Sequence, residues 1–214
     1  MCYSAKSSII AFTVGELASI YLLLYGDKYD KNIGIFFMAV LGMQLLEFLM
    51  WTDQKCGLIN HFASKSINLF LGLQIVALVL GAYLFNTSII PKHILKIILI
   101  FLLIFVIYNG SFRFFINEGK LCTKPNKDNS LQWDKFDLNI ILSLIYLFIF
   151  VAFPFLMKEK FKAMIVLILG IMSLYFNQYH NQYTLNSRWC YYSAFIPVIL
   201  VIFRIFKINL PNLV

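Results

Sequence analysis

The stretch IGIFFMAVLGMQLLEFLMW, residues 33–51, decides the class of fold. It is long enough to cross the hydrocarbon core of a bilayer as a helix, which takes about 20 mainly apolar residues. Gln44, Glu47 and Trp51 lie at positions i, i+3 and i+7, so they share one face of that helix. A carboxylate on a membrane span is costly to bury, and by default it indicates a functional site.

The composition of the whole chain supports a membrane-embedded protein. Of its 214 residues, 61% are hydrophobic and 13% are charged, whereas soluble domains are about 45–50% apolar and about 25% charged. A water-soluble globule could not bury this much apolar surface. The net charge of +8 does not indicate nucleic-acid binding, because the Lys and Arg residues are spread over all the loops and form no basic stripe. It suits the anionic headgroups of a lipid bilayer.

Apolar segments of about 20 residues recur along the chain and predict an all-α, polytopic membrane protein with seven transmembrane helices in one bundle. The chain, residues 1–214, is predicted to form this single domain. The predicted spans are 8–25, 33–51, 66–85, 92–109, 137–157, 161–179 and 190–207. A similarity between LGMQLLEF (41–48) and LGIMSLYF (169–176) indicates, as an alternative, a 3+1+3 arrangement of two parallel repeats joined by one span.

Seven spans place the two termini on opposite sides of the membrane. Side A carries the N-terminus and three loops, 52–65, 110–136 and 180–189. Side B carries the C-terminus and three loops, 26–32, 86–91 and 158–160. Lys and Arg are shared evenly, but those of side B lie closest to the span ends, where the positive-inside rule counts most. We therefore expect a non-cytoplasmic N-terminus and a cytoplasmic C-terminus.

All four cysteines, Cys2, Cys56, Cys122 and Cys190, fall on side A in this topology. Disulfides persist in oxidising compartments, so the cysteines are disulfide candidates on a non-cytoplasmic face. The alternative is free, buried thiols that act as small hydrophobic side chains. The pairing cannot be deduced from the sequence. The long loop 110–136 is either an ordered lid or a flexible loop, and a bridge at Cys122 would favour the lid.

The strongly polar residues of the spans gather in the half nearer side A, whereas the other half is aliphatic and aromatic. This asymmetry predicts a cup that opens to side A and takes a small solute or ion. For Glu47 the alternative is a carboxylate near the interface that bonds a Trp or Arg, and for His180 it is a polar residue of an aromatic belt. The residues proposed to line the ligand or ion pocket are Glu16, Gln44, Glu47, Gln74, Tyr108, Asn109, Asn177, His180 and Arg188.

These residues favour a small transporter or channel-like protein in which Glu16 and Glu47 act as proton or cation sites. One alternative is an intramembrane enzyme that uses His180 and a carboxylate as general base or metal ligands. Another is a receptor-like protein or a structural component of an envelope. The sequence contains no HxxxH, CxxC or HExxH spacing, so it does not indicate a metal site. The residues identify no cofactor. The expected partners are the lipid bilayer, a small solute or ion, and further copies of the chain in a homo-oligomer.

Three motifs together resemble a family of small multi-pass membrane proteins from microbial genomes and large DNA viruses. They are MCYSAKSS at the N-terminus, QLLEFLMW in the second span and SRWCYYSA near the last span. The family pattern is a Met-Cys-aromatic-Ser-Ala start, a Gln-x-x-Glu-x-x-x-Trp span and a late Trp-Cys. The matching positions are Met1–Ala5, Gln44, Glu47, Trp51, Trp189 and Cys190.

The resemblance leaves the loop 110–136 uncovered and implies no activity. It implies that Cys2 and Cys190 belong with Glu47. In its concrete form, a Cys2–Cys190 disulfide ties the N-terminus to the last span.

Overall fold

Long helices account for most of the described chain. The computed structural model describes residues 4–115, 119–127, 129–133, 144–145, 148–149, 151–160, 164, 166–168, 171 and 190–206. The helices are α1 (Ala5–Tyr25), α2 (Lys28–Thr52), α3 (Leu58–Phe85), α4 (Lys92–Phe115) and the short α5 (Ile196–Ile205). A 3₁₀ helix covers Phe153–Leu156, and two short strands, β1 (Lys124–Pro125) and β2 (Leu131–Gln132), pair antiparallel.

Four of the described helices, α1 to α4, are long and apolar enough to cross a membrane. The protein is therefore membrane-embedded, as its composition predicts. The predicted spans 137–157 and 161–179 fall largely outside the described residues. The predicted span 190–207 is an apolar helix over Cys190–Ile205, which is shorter than the other four. Seven spans, the 3+1+3 arrangement and the single domain stay predictions.

The helix α3 begins at Leu58, earlier than the hydropathy of the third predicted span indicates. Polar side chains within 58–65 lower the local hydropathy and hide the true start. The helix can begin there because the Asp53 carboxylate accepts hydrogen bonds from the backbone N–H groups of Gly57 (2.9 Å) and Asn60 (3.0 Å). These bonds satisfy donors of the first turn that have no partner within the helix.

The helix α2 has a capping box of its own. The Asp27 carboxylate accepts from the backbone N–H groups of Tyr29 (2.8 Å) and Asp30 (3.0 Å). The Asp30 carboxylate in turn accepts from the N–H of Asp27 at 3.2 Å. Reciprocal bonds of this kind satisfy two orphan donors at once, so the chain turns sharply from α1 into α2.

The helix α2 lies between α1 and α3, while α4 packs on α3 and α5 packs on α1. Small residues allow the closest approaches between helices. Gly15 of α1 lies against Leu41 of α2 and the backbone of Ala194, and Gly34 of α2 lies against the backbone of Ser19. Lipid gives helices little hydrophobic reason to associate, so close packing at small residues stabilises the contact. The helix α2 is accordingly buried along most of its length.

The two ends of the bundle correspond to the predicted sides. At side B, α1 ends, α2 begins, α3 ends and α4 begins. An ion pair there joins Asp30 of α2 to Arg204 of α5, with 2.6 Å between Oδ2 and Nη1. The buried amide of Asn32 donates to the hydroxyl of Thr87 at 3.0 Å. These bonds connect segments that are far apart in the sequence at the side-B end.

Candidate functional site

The side-A half of α2 carries a buried pair of polar side chains. Gln44 and Glu47 are both 0% exposed, and the amide Nε2 of Gln44 donates to the carboxyl Oε2 of Glu47 at 3.1 Å. The i, i+3 spacing places them on one helix face, as the sequence predicts. A carboxyl group in so apolar a setting can hold a proton or a cation, and the amide fixes its orientation.

Apolar side chains next to Gln44 and Glu47 form the core at this end of the bundle. Met43, Leu46 and Met50 of α2 pack with residues of α3 in one buried cluster. The cluster also includes Leu131 and Trp133, which come from the long loop after α4. The loop therefore folds back over the side-A end of α2.

The segment 119–133, which we call the lid, is ordered in its described residues. Its two short strands form a hairpin, and Leu121 and Leu131 are fully buried. A disulfide joins Cys122 of the lid to Cys56 between α2 and α3. The sequence predicted disulfide candidates and left their pairing open. The bridge at Cys122 confirms a disulfide, and it favours the ordered lid of the two alternatives for the loop 110–136.

Asn60 of α3 attaches the lid to the bundle. Its Nδ2 donates to the backbone carbonyls of Thr123 (2.9 Å), Asp53 (3.1 Å) and Met50 (3.2 Å). Its Oδ1 accepts from the backbone N–H of Thr123 at 2.9 Å and from the hydroxyl of Ser64 at 3.2 Å. Because Asn60 and Thr123 are both 0% exposed, these bonds fix the lid on the ends of α2 and α3.

Two further bonds extend this contact. The backbone N–H of Leu121 donates to Nδ1 of His61 at 2.9 Å. The hydroxyls of Ser64 and Thr123 lie 2.8 Å apart. Sequence analysis missed this set of residues, although the polar interruption at the start of α3 was a usable signal.

Asp53 is the charged group of this region, and it lies outside the membrane-spanning segments. The backbone N–H groups of Asn60 and Gly57 hold the pKa of the Asp53 carboxyl below its ordinary value. The Lys120 ammonium of the lid acts in the same direction. The carboxylate is therefore kept ionised at the point where α2, α3 and the lid meet.

The structure does not bring Glu16 into the Gln44–Glu47 pair. Among the described residues Glu16 makes no hydrogen bond or ion pair, and its Oε2 atom is buried without a hydrogen-bond partner. Since Gly15 lies against Leu41 and the two helices are antiparallel, Glu16 lies about 10 Å deeper than Glu47 along α2. The two acids therefore lie at different depths in the bundle, and a pocket shared by both stays a prediction.

Gln74 is fully buried on α3. It lies one turn beyond Phe70, which packs against Gly42 of α2. Because α2 and α3 are antiparallel, Gln74 lies near the middle of the bundle and deeper than Glu47. It lies at about the depth of Glu16 along the bundle.

Tyr108 and Asn109 line neither of the two cavities that border the described residues, and their proposed pocket role stays a prediction. Val106 and Gly110 make the contact of α4 with α3, so Tyr108 lies on the opposite face and is 67% exposed. Asn109 donates to the carbonyl of Phe105 in its own helix at 2.9 Å. The sequence did not distinguish these faces because α4 is apolar all round.

Several predicted site residues lie outside the described residues: Cys2, Asn177, His180 and Arg188. The enzyme alternative depends on His180 and stays a prediction. Cys190 is a free, buried thiol in the same cluster as Met43 and Met50. The structure therefore does not contain the Cys2–Cys190 bridge implied by the resemblance, although Cys190 does pack beside the neighbours of Glu47.

Two cavities border the described residues. One, of about 40 Å³, lies near side B and is lined by Tyr29, Asn32 and Met157 among others. The other, of about 430 Å³, is apolar and lies between α4 and 144–156. Neither is lined by the polar candidates Glu16, Gln44, Glu47 and Gln74, so the cup opening to side A stays a prediction. Within the described ranges no three His, Cys, Asp or Glu side chains come together.

Comparison with protein-family models, with curated proteins and with solved structures finds no match to this chain. The chemistry of the site therefore has to be argued from its geometry.

Proposed function

We propose that this protein is a small multi-pass carrier or channel-like protein in which Glu47 binds a proton or a small cation beneath the lid. The observation that carries the proposal is the fully buried Gln44–Glu47 hydrogen bond on a membrane-spanning helix. Ionisable groups are rare inside membrane spans, and those that occur typically mark ion or proton pathways. The amide of Gln44 orients the carboxyl group for repeated binding and release.

Glu16 is a second and separate acid in this proposal. Its Oε2 atom is buried and has no hydrogen-bond partner among the described residues, while the residue as a whole is half-buried. Carboxyl groups within membrane spans commonly mark proton pathways. Glu16 then serves as a proton site deeper in the bundle, about 10 Å from Glu47 along the helix axis.

In this proposal the lid controls access of solute or ion to Glu47. It covers the side-A end of α2 through Leu131 and Trp133, and it is attached by the Cys56–Cys122 disulfide and by Asn60. We propose that solute or ion reaches Glu47 from side A when this lid opens. Lids that close over a site commonly exclude water and gate exchange.

The finer topology belongs to the same proposal. Segments 137–157, 161–179 and 190–207 complete a seven-helix bundle, with the N-terminus and the lid on the non-cytoplasmic side. Two observations support this orientation. A disulfide persists in an oxidising compartment, and the lysines near side B follow the positive-inside rule.

Flux through reconstituted liposomes tests the function. Proton movement is followed with a trapped pH dye, and Na⁺ or K⁺ movement with trapped ion indicators. We expect wild-type flux well above that of empty liposomes, and a loss of about tenfold or more in Glu47→Gln. Glu159→Gln, a half-buried acid at side B, is the matched control and should keep wild-type flux.

Two results would overturn the proposal. One is wild-type flux equal to that of protein-free liposomes for protons and for both cations. The other is unchanged flux in Glu47→Gln and in Glu16→Gln, provided that both variants elute as single species after purification. If Glu16→Gln keeps wild-type flux while Glu47→Gln loses it, only the role of Glu16 is removed from the proposal.

A further inference from the structure

An apolar groove runs between α4 and the segment 144–156. Its volume is about 430 Å³, and all of its lining side chains are apolar. Leu95, Ile98 and Leu102 of α4 form one wall, and Ile145, Ile149 and Ala152 form part of the other. The groove is independent of the Gln44–Glu47 pair and is not used in the proposed function.

The groove opens sideways toward the membrane. Phe101, Leu144 and Phe148 line it and are 61%, 60% and 71% exposed. A groove without polar groups offers water no hydrogen-bond partners, and an empty one forfeits the dispersion contacts of its lining. In a bilayer the apolar molecule at hand to fill it is a lipid acyl chain.

The side-B end of the groove has a defined structure. Ile90 and Leu156 line the groove there, and the N–H of Ile89 donates to the carbonyl of Leu156 at 2.8 Å. The N–H of Lys158 donates to the carbonyl of Thr87, also at 2.8 Å. These bonds hold the loop between α3 and α4 against the short extended segment after the 3₁₀ helix.

This pairing places a cation at the mouth of the groove. Met157 is extended, so Leu156 and Lys158 point to the same side of the segment. Lys158 is exposed and donates one bond to the carbonyl of Asn86 at 3.1 Å, which leaves it further N–H donors. Lys92, at the start of α4, is also exposed and its ammonium lies 5.9 Å from the ring centre of Tyr83.

The charge around the mouth is one-sided. Lys92 and Lys158 lie there, and the segments 86–96 and 151–160 contain one acidic residue, Glu159. Glu159 lines the small side-B cavity and not the groove. Basic residues between spans near a membrane surface commonly bind anionic lipid headgroups.

We propose that this groove is a binding site for an anionic glycerophospholipid, with one acyl chain along α4 and its phosphate between Lys92 and Lys158. The apolar lining supplies the chain site and the lysines supply the headgroup preference. Lys96 provides an internal comparison, because helix geometry places it about 100–160° around α4 from Leu95, Ile98 and Leu102.

The test is a retention assay by native mass spectrometry. Protein purified from vesicles of equimolar phosphatidylglycerol and phosphatidylcholine should retain phosphatidylglycerol preferentially. Each lysine near the membrane surface should favour the anionic lipid about fivefold, so the two lysines together should give about 25-fold more retained phosphatidylglycerol than phosphatidylcholine. Glycerol phosphate without acyl chains, added in excess, should not displace the lipid, because the chain supplies the apolar contact.

Variants separate the headgroup site from the chain site. Lys92→Gln with Lys158→Gln should reduce the preference to near unity while lipid is still retained, and Lys96→Gln should leave it unchanged. Ala152→Phe should fill the groove and lower retention of both lipids. The proposal is overturned if wild-type protein retains the two lipids equally, if the double variant keeps the preference, or if properly folded Ala152→Phe protein keeps all its lipid. The first of these results needs no variant to fold.

Discussion

Replacing Asn60 with alanine should release the lid from α3 and α2. The side chain of Asn60 makes two hydrogen bonds to the backbone of Thr123, and Thr123 is 0% exposed. Neither the N–H nor the carbonyl of Thr123 can form a hydrogen bond with water while the lid stays closed. Leaving a buried backbone group without a partner costs about 1–3 kcal/mol.

Two such groups should lower the free energy of lid opening by about 3 kcal/mol, which is roughly 150-fold in the opening equilibrium. Hydrogen–deuterium exchange in lipid nanodiscs measures this equilibrium when reclosing is fast. The reporter is the N–H of Leu121, which bonds His61 and not Asn60. Its exchange should accelerate about 100-fold in Asn60→Ala.

A matched amide control lies at the same end of α2. Gln54 donates to the carbonyl of Met50 at 2.8 Å and makes no described hydrogen bond to the lid. Gln54→Ala should therefore leave exchange at Leu121 within a few-fold of wild type. If Asn60→Ala leaves that exchange unchanged, or if Gln54→Ala accelerates it as much, Asn60 does not hold the lid.

Three further predictions follow from the same structure. Cys122→Ser should lower thermal stability by up to about 4 kcal/mol on the chain-entropy estimate, because the Cys56–Cys122 bond spans 66 residues; reductant should do the same to wild type in a thermal melt. Asp53→Ala should lower the free energy of unfolding at pH values above 3.8, the ordinary pKa of the carboxyl. The difference in stability between wild type and variant should vanish as pH falls through the lowered pKa of Asp53, because only the ionised group contributes the extra stability. Gly34→Ala should cost about 1–3 kcal/mol, because its Cβ would lie 2.8 Å from the carbonyl oxygen of Ser19.

Each of these has a contrary outcome. Reductant that leaves the melting temperature of wild type unchanged would refute the disulfide contribution. A constant stability difference between wild type and Asp53→Ala from pH 6 down to pH 3 would show that ionisation of Asp53 is irrelevant. Thr13→Ala, on the exposed face of α1, is the control for Gly34→Ala, and equal melting temperatures for the two would contradict the close packing of α1 on α2.

The sequence alone determined the membrane class and most of the helical boundaries. In lipid, backbone groups must be satisfied within a helix, so apolar length is enough to place α1 to α4 approximately. The helix α2 begins five residues before the predicted span 33–51, and α4 ends six residues after the predicted span 92–109. The Gln44–Glu47 contact is equally local, because an i, i+3 spacing brings two side chains together on any helix. The start of α3 was missed since hydropathy does not register the capping bonds of Asp53.

Only the tertiary structure decided which segments meet. Asn60 and Thr123 are 63 residues apart and Asp30 and Arg204 are 174 apart, and no periodicity relates them. A uniformly apolar helix such as α4 does not reveal which face packs on α3, so the sequence could not show that Tyr108 lies on the face opposite that contact. The pairing of Cys56 with Cys122 likewise depends on how the lid folds over the bundle. Contacts of this kind follow from the relative placement of whole helices, which local residue patterns do not encode.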